Sequence, residues 1–508
     1  MERIWSEQQK EIFAWFAKDF QHFQDFPDID ARGHVVVRAR AGTGKTTIIV
    51  EGVQRAPENK IIICAFSKII QQELENRIGK NHPTIKAQTF HSIGLQCVKR
   101  FRENIKIDFS STRADSLTEK VCGPRAPDAI KKLVSKLHCK GRELAPHATS
   151  MGELTDLAIQ FECEPDEQWT MSGFPLEYVE QKALEAIELA SQLQSGETID
   201  GSDMIFLPLR NGWLVRLYNL VVVDETQDMT PAQLEMALGI LIEGGRMCIV
   251  GDDRQAIFGW RGADSNGVDR LKDLLNAGEL GLTVTYRCGK KIVELAQTFV
   301  PDIEAADNNP EGEIIFLDPS KLVETAGPAD FILSRVNAPL VSIAMQLLKS
   351  GKRTRVLGKD IGKGLTALVR KFRATSVTDF LRKVESWNTR EVARLTTQME
   401  KAVNGRKKTL QSKIEETYDK AEMLTSLAEG AKNVIEIETR IVSLFEDDGL
   451  GAESLITCSS IHKAKGLESN RVFILEDTLR NYSKEEINLR YVAITRAKNV
   501  LVFVSDKL

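Results

Sequence analysis

Ile12, Phe13, Phe16 and Phe20 recur at helical spacing, so the chain opens with an amphipathic helix near residues 7–20 whose apolar stripe faces a core. The period then changes. HVVVRA (His34–Ala39) is a short β-branched run of buried-strand type, followed by a Gly-containing turn and the helix start TTIIVEGV. IIICAF (Ile61–Phe66) leads into the helix SKIIQQELENRI, and TIKAQTF leads into another helix at His91. Strands alternating with helices in this way predict a parallel sheet covered on both faces. Between about residues 101 and 198 the strand signals vanish and polar helical segments replace them, which predicts an inserted helical subdomain. LVVVDE (Leu220–Glu225) and RMCIVGDD (Arg246–Asp253) then resume the strand pattern. Pro231, between them, suits the first turn of a helix, where its missing N–H costs nothing.

A second α/β series starts at LTVTYR (Leu282–Arg287) and continues through EIIFLD, FILSR and RVLG. From about residue 365 to 445 the chain is charged and helical, and RLTTQMEKAVNGRKKTLQSKIEETYDKAEML reads as a helical hairpin broken near Asn404 and Gly405. Strands return at ESLITCSS, RVFILE and VLVFVSD. The expected fold is therefore α/β, with two parallel-sheet lobes that each carry a mainly helical insertion. The first lobe takes residues 1–100 and 200–280 around an insertion at 101–199; the second takes 281–364 and 451–508 around an insertion at 365–450. No repeat of 20 to 50 residues is visible.

A length of 508 residues exceeds what one core can organise and agrees with several lobes. With 42% hydrophobic and 28% charged residues, the composition is that of a globular protein. The net charge of −4 and a pI near 6.1 exclude a global positive field, so any nucleic-acid binding must use local basic patches and stacking surfaces. The eight cysteines include no CxxC pair, which argues against a zinc ribbon or an iron–sulfur cluster. MERIWSEQQK lacks the apolar core of a secretion signal, and no stretch approaches a membrane span. A cytoplasmic, nucleoid-associated location is expected, with no membrane partner. The last strand signal ends just before Leu508, so no nuclease extension is expected.

ARAGTGKT (Ala39–Thr46) fits GxxxxGK[ST] with Ala39 in place of the first Gly, and it lies between a buried strand and a helix start. Backbone N–H groups along Ala41, Gly42, Thr43, Gly44, Lys45, Thr46 and Thr47 can close around phosphate oxygens. Lys45 reaches the β/γ-phosphates, and the Thr46 hydroxyl can ligate Mg²⁺. VVVDETQD (Val221–Asp228) supplies the other half of a nucleotide site: Asp224 is placed to hold Mg²⁺ through water, and Glu225 to polarise the attacking water. ATP and Mg²⁺ are the expected substrate and cofactor.

With these motifs the chain resembles the UvrD/Rep-type helicases of superfamily 1. The likeness rests on several motifs in family order. AFSKIIQQEL (Ala65–Leu74) and TFHS (Thr89–Ser92) resemble the early DNA-contacting motifs, and VGDDRQAIFGWRGA (Val250–Ala263) resembles the third. VTYRCG, SSIHKAKGLE (Ser459–Glu468) and LRYVAITRAK (Leu489–Lys498) resemble the later ones. The resemblance implies two RecA-like lobes. It also implies that Gln9 reads the adenine edge, Tyr286 stacks on the ring, Glu468 contacts the ribose and Gln255 senses the γ-phosphate. Arg287 and Arg496 would act as arginine fingers, which contribute on the order of 10³ to 10⁵ in rate. Phe66, Phe258 and Trp260 would stack on bases of a single strand, with Thr89, His91, Arg261 and His462 adding contacts. Three positions depart from the family pattern: Arg40 stands where Gly is usual, Lys68 where Asn is usual and Ser469 where Phe is usual.

The implied activity is ATP-dependent translocation on single-stranded DNA, 3′→5′, coupled to unwinding. The implied partners are single strands and single/double-strand junctions, with repair, replication or defence proteins beside them, for a monomeric or weakly associating chain. The insertion in the second lobe is short for this family, which weakens unwinding relative to translocation. A translocase that displaces proteins, or the motor subunit of a repair or defence complex, uses the same motifs. A P-loop switch or binding module without a nucleic-acid role is the reading from another class.

Overall fold

The protein is described by a computed structural model. It covers residues 4–506 apart from 20, 24–29, 31–32, 80–81, 111, 166, 260–261, 265, 401–403, 446–453 and 481–482, with backbone alone at 167, 404–406, 408 and 409. The chain divides into two compact units, Met1–Ala39 with Gly44–Leu282, and Arg40–Thr43 with Thr283–Leu508.

In the first unit the strands are β1 (Val35–Ala39), β2 (Ile61–Ala65), β3 (Ile85–Thr89), β4 (Lys106–Ile107), β5 (Thr198–Ile199), β6 (Tyr218–Val223), β7 (Leu241–Gly251) and β8 (Gly278–Leu282). Six of them form a sheet in the order β3-β2-β6-β7-β1-β8, and every pair is parallel. Their apolar runs are uninterrupted because both faces are covered. Val35, Val37, Ile61 and Ile63 point to the side of Ile12, Phe16 and Ile49, whereas Val36, Ile62 and Val221 point to the side of Phe90, Met236 and Ile249. The opening helix is shorter than its apolar stripe suggests: it spans Glu7–Ala17 and stops where Lys18 turns left-handed (φ 57°). Phe20, assigned to that stripe, lies outside the described residues.

Helices Thr112–Cys122, Asp128–Leu144, Gly152–Gln160, Glu167–Met171 and Leu176–Ser191 form the inserted part. They enclose a separate core around Val134, Leu137, Val179 and Ile187, which also takes Phe206 and Leu207 from the helix Gly201–Arg210. Buried Arg142 ties that helix in, with Nη1 2.6 Å from Asp203 and Nη2 2.8 Å from Asp200. The segment is not free of strands. Lys106–Ile107 pairs in parallel with Thr198–Ile199, and two residues per strand are too few to leave a period in the sequence.

The second unit contains β9 (Val284–Thr285), β10 (Glu304–Ala305), β11 (Glu313–Leu317), β12 (Phe331–Ser334), β13 (Thr354–Val356), β14 (Ile456–Ser460), β15 (Ser469–Leu475) and β16 (Ala497–Val504). Its main sheet runs β11-β16-β15-β12-β14-β13, again all parallel. LTVTYR does not open this sheet. Leu282 closes β8 beside Ala39, while Val284 and Thr285 pair only with β10. A continuous β-type run cannot reveal that its two ends hydrogen-bond to different partners.

Helices Lys359–Phe372, Val377–Glu400, Asn404–Ala428 and Val434–Phe445 make the second inserted region. Its base shares the core of the lobe: Leu365, Phe380, Leu424, Ile437 and Leu444 pack with Ile332, Val341, Val356, Phe473 and Val502. Asp419 fastens it further, accepting from the amides of Asn337 (2.9 Å) and Ala338 (2.6 Å) at the start of the helix Ala338–Lys349. The far end of the hairpin has a small cluster, Leu395, Leu410 and Ile414. Among the described residues no helix is long and apolar enough to cross a membrane.

Candidate nucleotide site and nucleic-acid track

In the first unit β1 delivers the chain to Gly44, whose φ of 88° is open to glycine without strain and turns the backbone into the helix Lys45–Arg55. Lys45 is the first residue of that helix, so its side chain and the amides behind it stand at the positive helix end. Its Nζ lies 2.8 Å from Oε2 of Glu225. Burial alone would lower the Lys45 pKa, but Glu225, Asp252 and Asp224 outweigh it and the ammonium is held charged.

The end of β6 supplies the carboxylates. Asp224 is 2% exposed, and burial together with the neighbouring Glu225 charge pushes its carboxyl up to about 7, against the pull of Lys45. Glu225 occupies the left-handed region (φ 50°, ψ 43°), and its amide donates to Asp224 Oδ1 at 2.9 Å. A non-glycine residue held there stores strain, which fits a side chain aimed by its surroundings. Two adjacent carboxyls, one of them crowded above its ordinary pKa, are a donor set that a hard divalent cation would relieve.

Hydrogen bonds continue from Glu225 into the segment after β7. Gln227 Nε2 donates to Glu225 Oε2 at 2.5 Å, and Gln227 Oε1 accepts from the Asp252 amide at 3.0 Å. Asp252 Oδ2 in turn accepts from Gln255 Nε2 at 2.6 Å. Gln227 and Asp252 are fully buried and Gln255 nearly so, so the chain of bonds runs inward from the partly exposed Lys45–Glu225 pair. Thr226 pins the two strand ends together, donating towards both Val223 and Val250 carbonyls. Gln227 and Asp252 were not singled out from the sequence; the signal available was a run of polar residues directly after each buried strand.

Gln9 is buried, and its Oε1 accepts from the Ser6 amide (3.0 Å) in a capping box of the first helix. The side-chain oxygen of Gln9, the residue expected at an adenine edge, is thus engaged in the helix cap. Thr47 Oγ1 accepts from Arg77 at 2.7 Å. Phe66 stands 38% exposed just beyond β2, a ring available for stacking. Thr89 caps the helix Phe90–Phe101 through the Ser92 amide, and His91 is exposed on its first turn. Phe258 is half-buried. Trp260 and Arg261 lie outside the described residues. His91 also lines a cavity of about 720 Å³, in which Asp115, Glu119, Asp128, Glu143 and Asp200 outnumber Lys131, Lys132 and Lys136. That balance makes the cavity unsuited to strand phosphates.

In the second unit Tyr286 is 46% exposed. Arg287 Nε pairs with Glu468 at 2.6 Å and its Nη1 reaches the Thr495 carbonyl at 3.3 Å. Glu468 also pairs with Lys498 at 2.7 Å; burial would raise its carboxyl, and the two cations hold it below the ordinary value. Arg496 is 1% exposed and donates to the carbonyls of Val492 (2.9 Å) and Leu467 (3.1 Å) and to the Thr495 hydroxyl (3.2 Å). Burial and the Arg287 charge beside it lower its pKa. His462 is half-buried in the short helix Ile461–Ala464.

The sequence matches the UvrD/REP helicase N-terminal domain over residues 25–276 and the UvrD-like helicase C-terminal domain over residues 265–507. Similar curated proteins include the ATP-dependent DNA helicase PcrA of Staphylococcus aureus, 23% identical over 299 residues, which is 55% of this chain and 39% of that protein. PcrA of Staphylococcus epidermidis is 24% identical over 287 residues, 53% of this chain and 38% of that protein. The chain thus matches about two fifths of the length of these relatives. A solved structure of Arterivirus nonstructural protein 10, a helicase with DNA, aligns at a TM-score of 0.34 and 11% identity over 93% of this chain and 61% of that one.

Proposed function

Because the chain belongs to the UvrD/Rep helicase family, we propose that it is an ATP-driven motor that moves along single-stranded DNA, 3′→5′, and unwinds duplexes. The observation that carries this reading is the chain of hydrogen bonds from the partly exposed Lys45–Glu225 pair through buried Gln227 and Asp252 to Gln255. It links a phosphate-reaching lysine to the segment that holds Phe258, so a change at either end is felt at the other.

Lys45 binds the β/γ-phosphates and the loop amides cradle them. Thr46 and Asp224 are the residues that would hold Mg²⁺, which supplies charge neutralisation of the phosphate oxygens. As phosphate draws Lys45 off Glu225, the freed carboxylate accepts a proton from the attacking water. Arg287 and Arg496 supply positive charge to the γ-phosphoryl group in the transition state. To do so Arg496 gives up one of its internal carbonyl partners. Phe66 and Phe258 stack on bases, each worth ~1–3 kcal/mol without regard to sequence, and Thr89, His91 and His462 contact the strand.

The deciding experiment is ATP hydrolysis with and without oligo-dT. Stimulation by the oligonucleotide, abolished in Lys45→Ala and Arg496→Ala, is expected; absence of stimulation in the unsubstituted chain sinks the motor reading. Duplexes with opposite single-stranded tails then test direction, and only those with a 3′ tail should be opened.

A further inference from the structure

The four residues Arg40–Thr43 of the phosphate loop belong by their contacts to the second unit, and they are held there tightly. Arg40 is 5% exposed. Its Nε lies 3.0 and 2.9 Å from the two carboxylate oxygens of Asp302, and Nη2 lies 2.7 Å from Oδ2. The amide of Ala41 donates to the hydroxyl of fully buried Tyr491 at 3.0 Å. The carbonyl of Gly42 accepts from the Tyr286 amide at 3.0 Å, and a Cβ at Gly42 would lie 2.5 Å from both Arg287 Cβ and Thr285 Oγ1. Thr43 closes the loop on itself, its hydroxyl donating to the Arg40 carbonyl at 2.9 Å.

We propose that Arg40 and Asp302 form an ion-pair clasp that positions the phosphate loop with the Ala41 amide turned onto Tyr491, and that nucleotide phosphate competes with this clasp. The proposal rests on the nucleotide-binding reading of the loop. An N–H group aims at one acceptor, so the amide given to the Tyr491 hydroxyl is withdrawn from a phosphate oxygen. Arg40 immediately precedes Ala41, and its three short contacts fix the backbone orientation there. A fork-to-carboxylate pair is stronger and more directional than a lysine contact would be. Glycine at position 40, usual in loops of this kind, could make no such contact. Asp302 is therefore a positioning residue that sets how readily the loop receives phosphate. Because its side chain is 47% exposed, the hold is moderate and can be broken by a ligand.

The test is the dissociation constant of Mg·ATP, measured by calorimetric titration on the full chain. Asp302→Asn, Arg40→Gly, the two together, and the reversed pair Arg40→Asp with Asp302→Arg are compared with the unsubstituted protein. Each single change should tighten binding by about 3- to 10-fold, the scale of a partly exposed charge-assisted pair. The double change should be no tighter than the tighter single, and the reversed pair should return towards the original value. Asp302→Asn alters a half-exposed side chain, and a melting curve of each variant establishes that it is folded. Singles that bind within twofold of the original or more weakly, or effects that multiply in the double variant, overturn the clasp. If the unsubstituted chain binds no ATP, the nucleotide reading falls and the clasp with it; if it binds and only the variants disagree, the clasp alone falls.

Discussion

Lys45 and Glu225 are each other's counterion, 2.8 Å apart, although 180 residues separate them in the chain. Both are accessible in part, with side chains 12% and 24% exposed. The pair therefore guards two reactive groups at once: the ammonium that a phosphate would take, and the carboxylate that would activate water. In the proposed reaction phosphate would exchange one partner of Lys45 for another and leave Glu225 to accept a proton.

Glu225→Gln keeps a hydrogen-bonding side chain and removes the base. Turnover should fall by roughly 10² to 10⁴, the usual contribution of a positioned general base, while ATP binding persists. Phosphate release in a single-turnover experiment, beside an ATP titration, separates the two effects. Equal loss of binding and turnover would mean that Glu225 serves only to hold Lys45.

Gln227 links Glu225 to Asp252 through both ends of its amide. Gln227→Leu, similar in size and unable to form either bond, should preserve ATP binding and cut the stimulation of hydrolysis by oligo-dT by several-fold. The ratio of rates with and without oligo-dT is the readout. An unchanged ratio would remove this path from the coupling.

The Asp224 carboxyl stands at about 7 in the folded protein, against about 4 for an unfolded aspartate. A raised folded pKa means that the native state binds the proton more tightly, so this group's stabilisation is complete below about pH 4 and is lost as pH rises through about 7. Asp224→Asn cancels that loss. The variant should melt above the unsubstituted chain at pH 8, and the gap should narrow as pH falls towards 5. Parallel melting curves across this range would sink the assignment of the raised pKa to Asp224.

Arg142 is completely buried between Asp200 and Asp203. Arg142→Met leaves buried carboxylates short of a partner, and a broken buried pair costs about 3–5 kcal/mol. Amide hydrogen exchange should accelerate in the helices Asp128–Leu144 and Gly201–Arg210 while the six-stranded sheets stay protected. Uniform acceleration over the whole chain would show that the inserted helices do not open separately.

Local structure was legible in the residues themselves. A β-branched run followed by glycines and a helix-type pattern placed strand, turn and helix start where Val35–Ala39, Gly44 and Lys45–Arg55 now stand. The alternation of strand and helix patterns likewise pointed to parallel sheets, and the loss of that alternation marked where helices are inserted. What depends on partners distant in the chain was decided only by the tertiary structure. Leu282 and Val284 carry the same β signal yet hydrogen-bond in different sheets, and the two inserted regions look alike in sequence although, among the described residues, only the first has a full core of its own. The buried link from Glu225 through Gln227 to Asp252, the raised Asp224 carboxyl and the Arg40–Asp302 pair belong to this second class. Period and composition record which way a side chain faces, whereas hydrogen bonds, desolvation and ion pairing depend on which distant atoms the fold brings within about 3 Å.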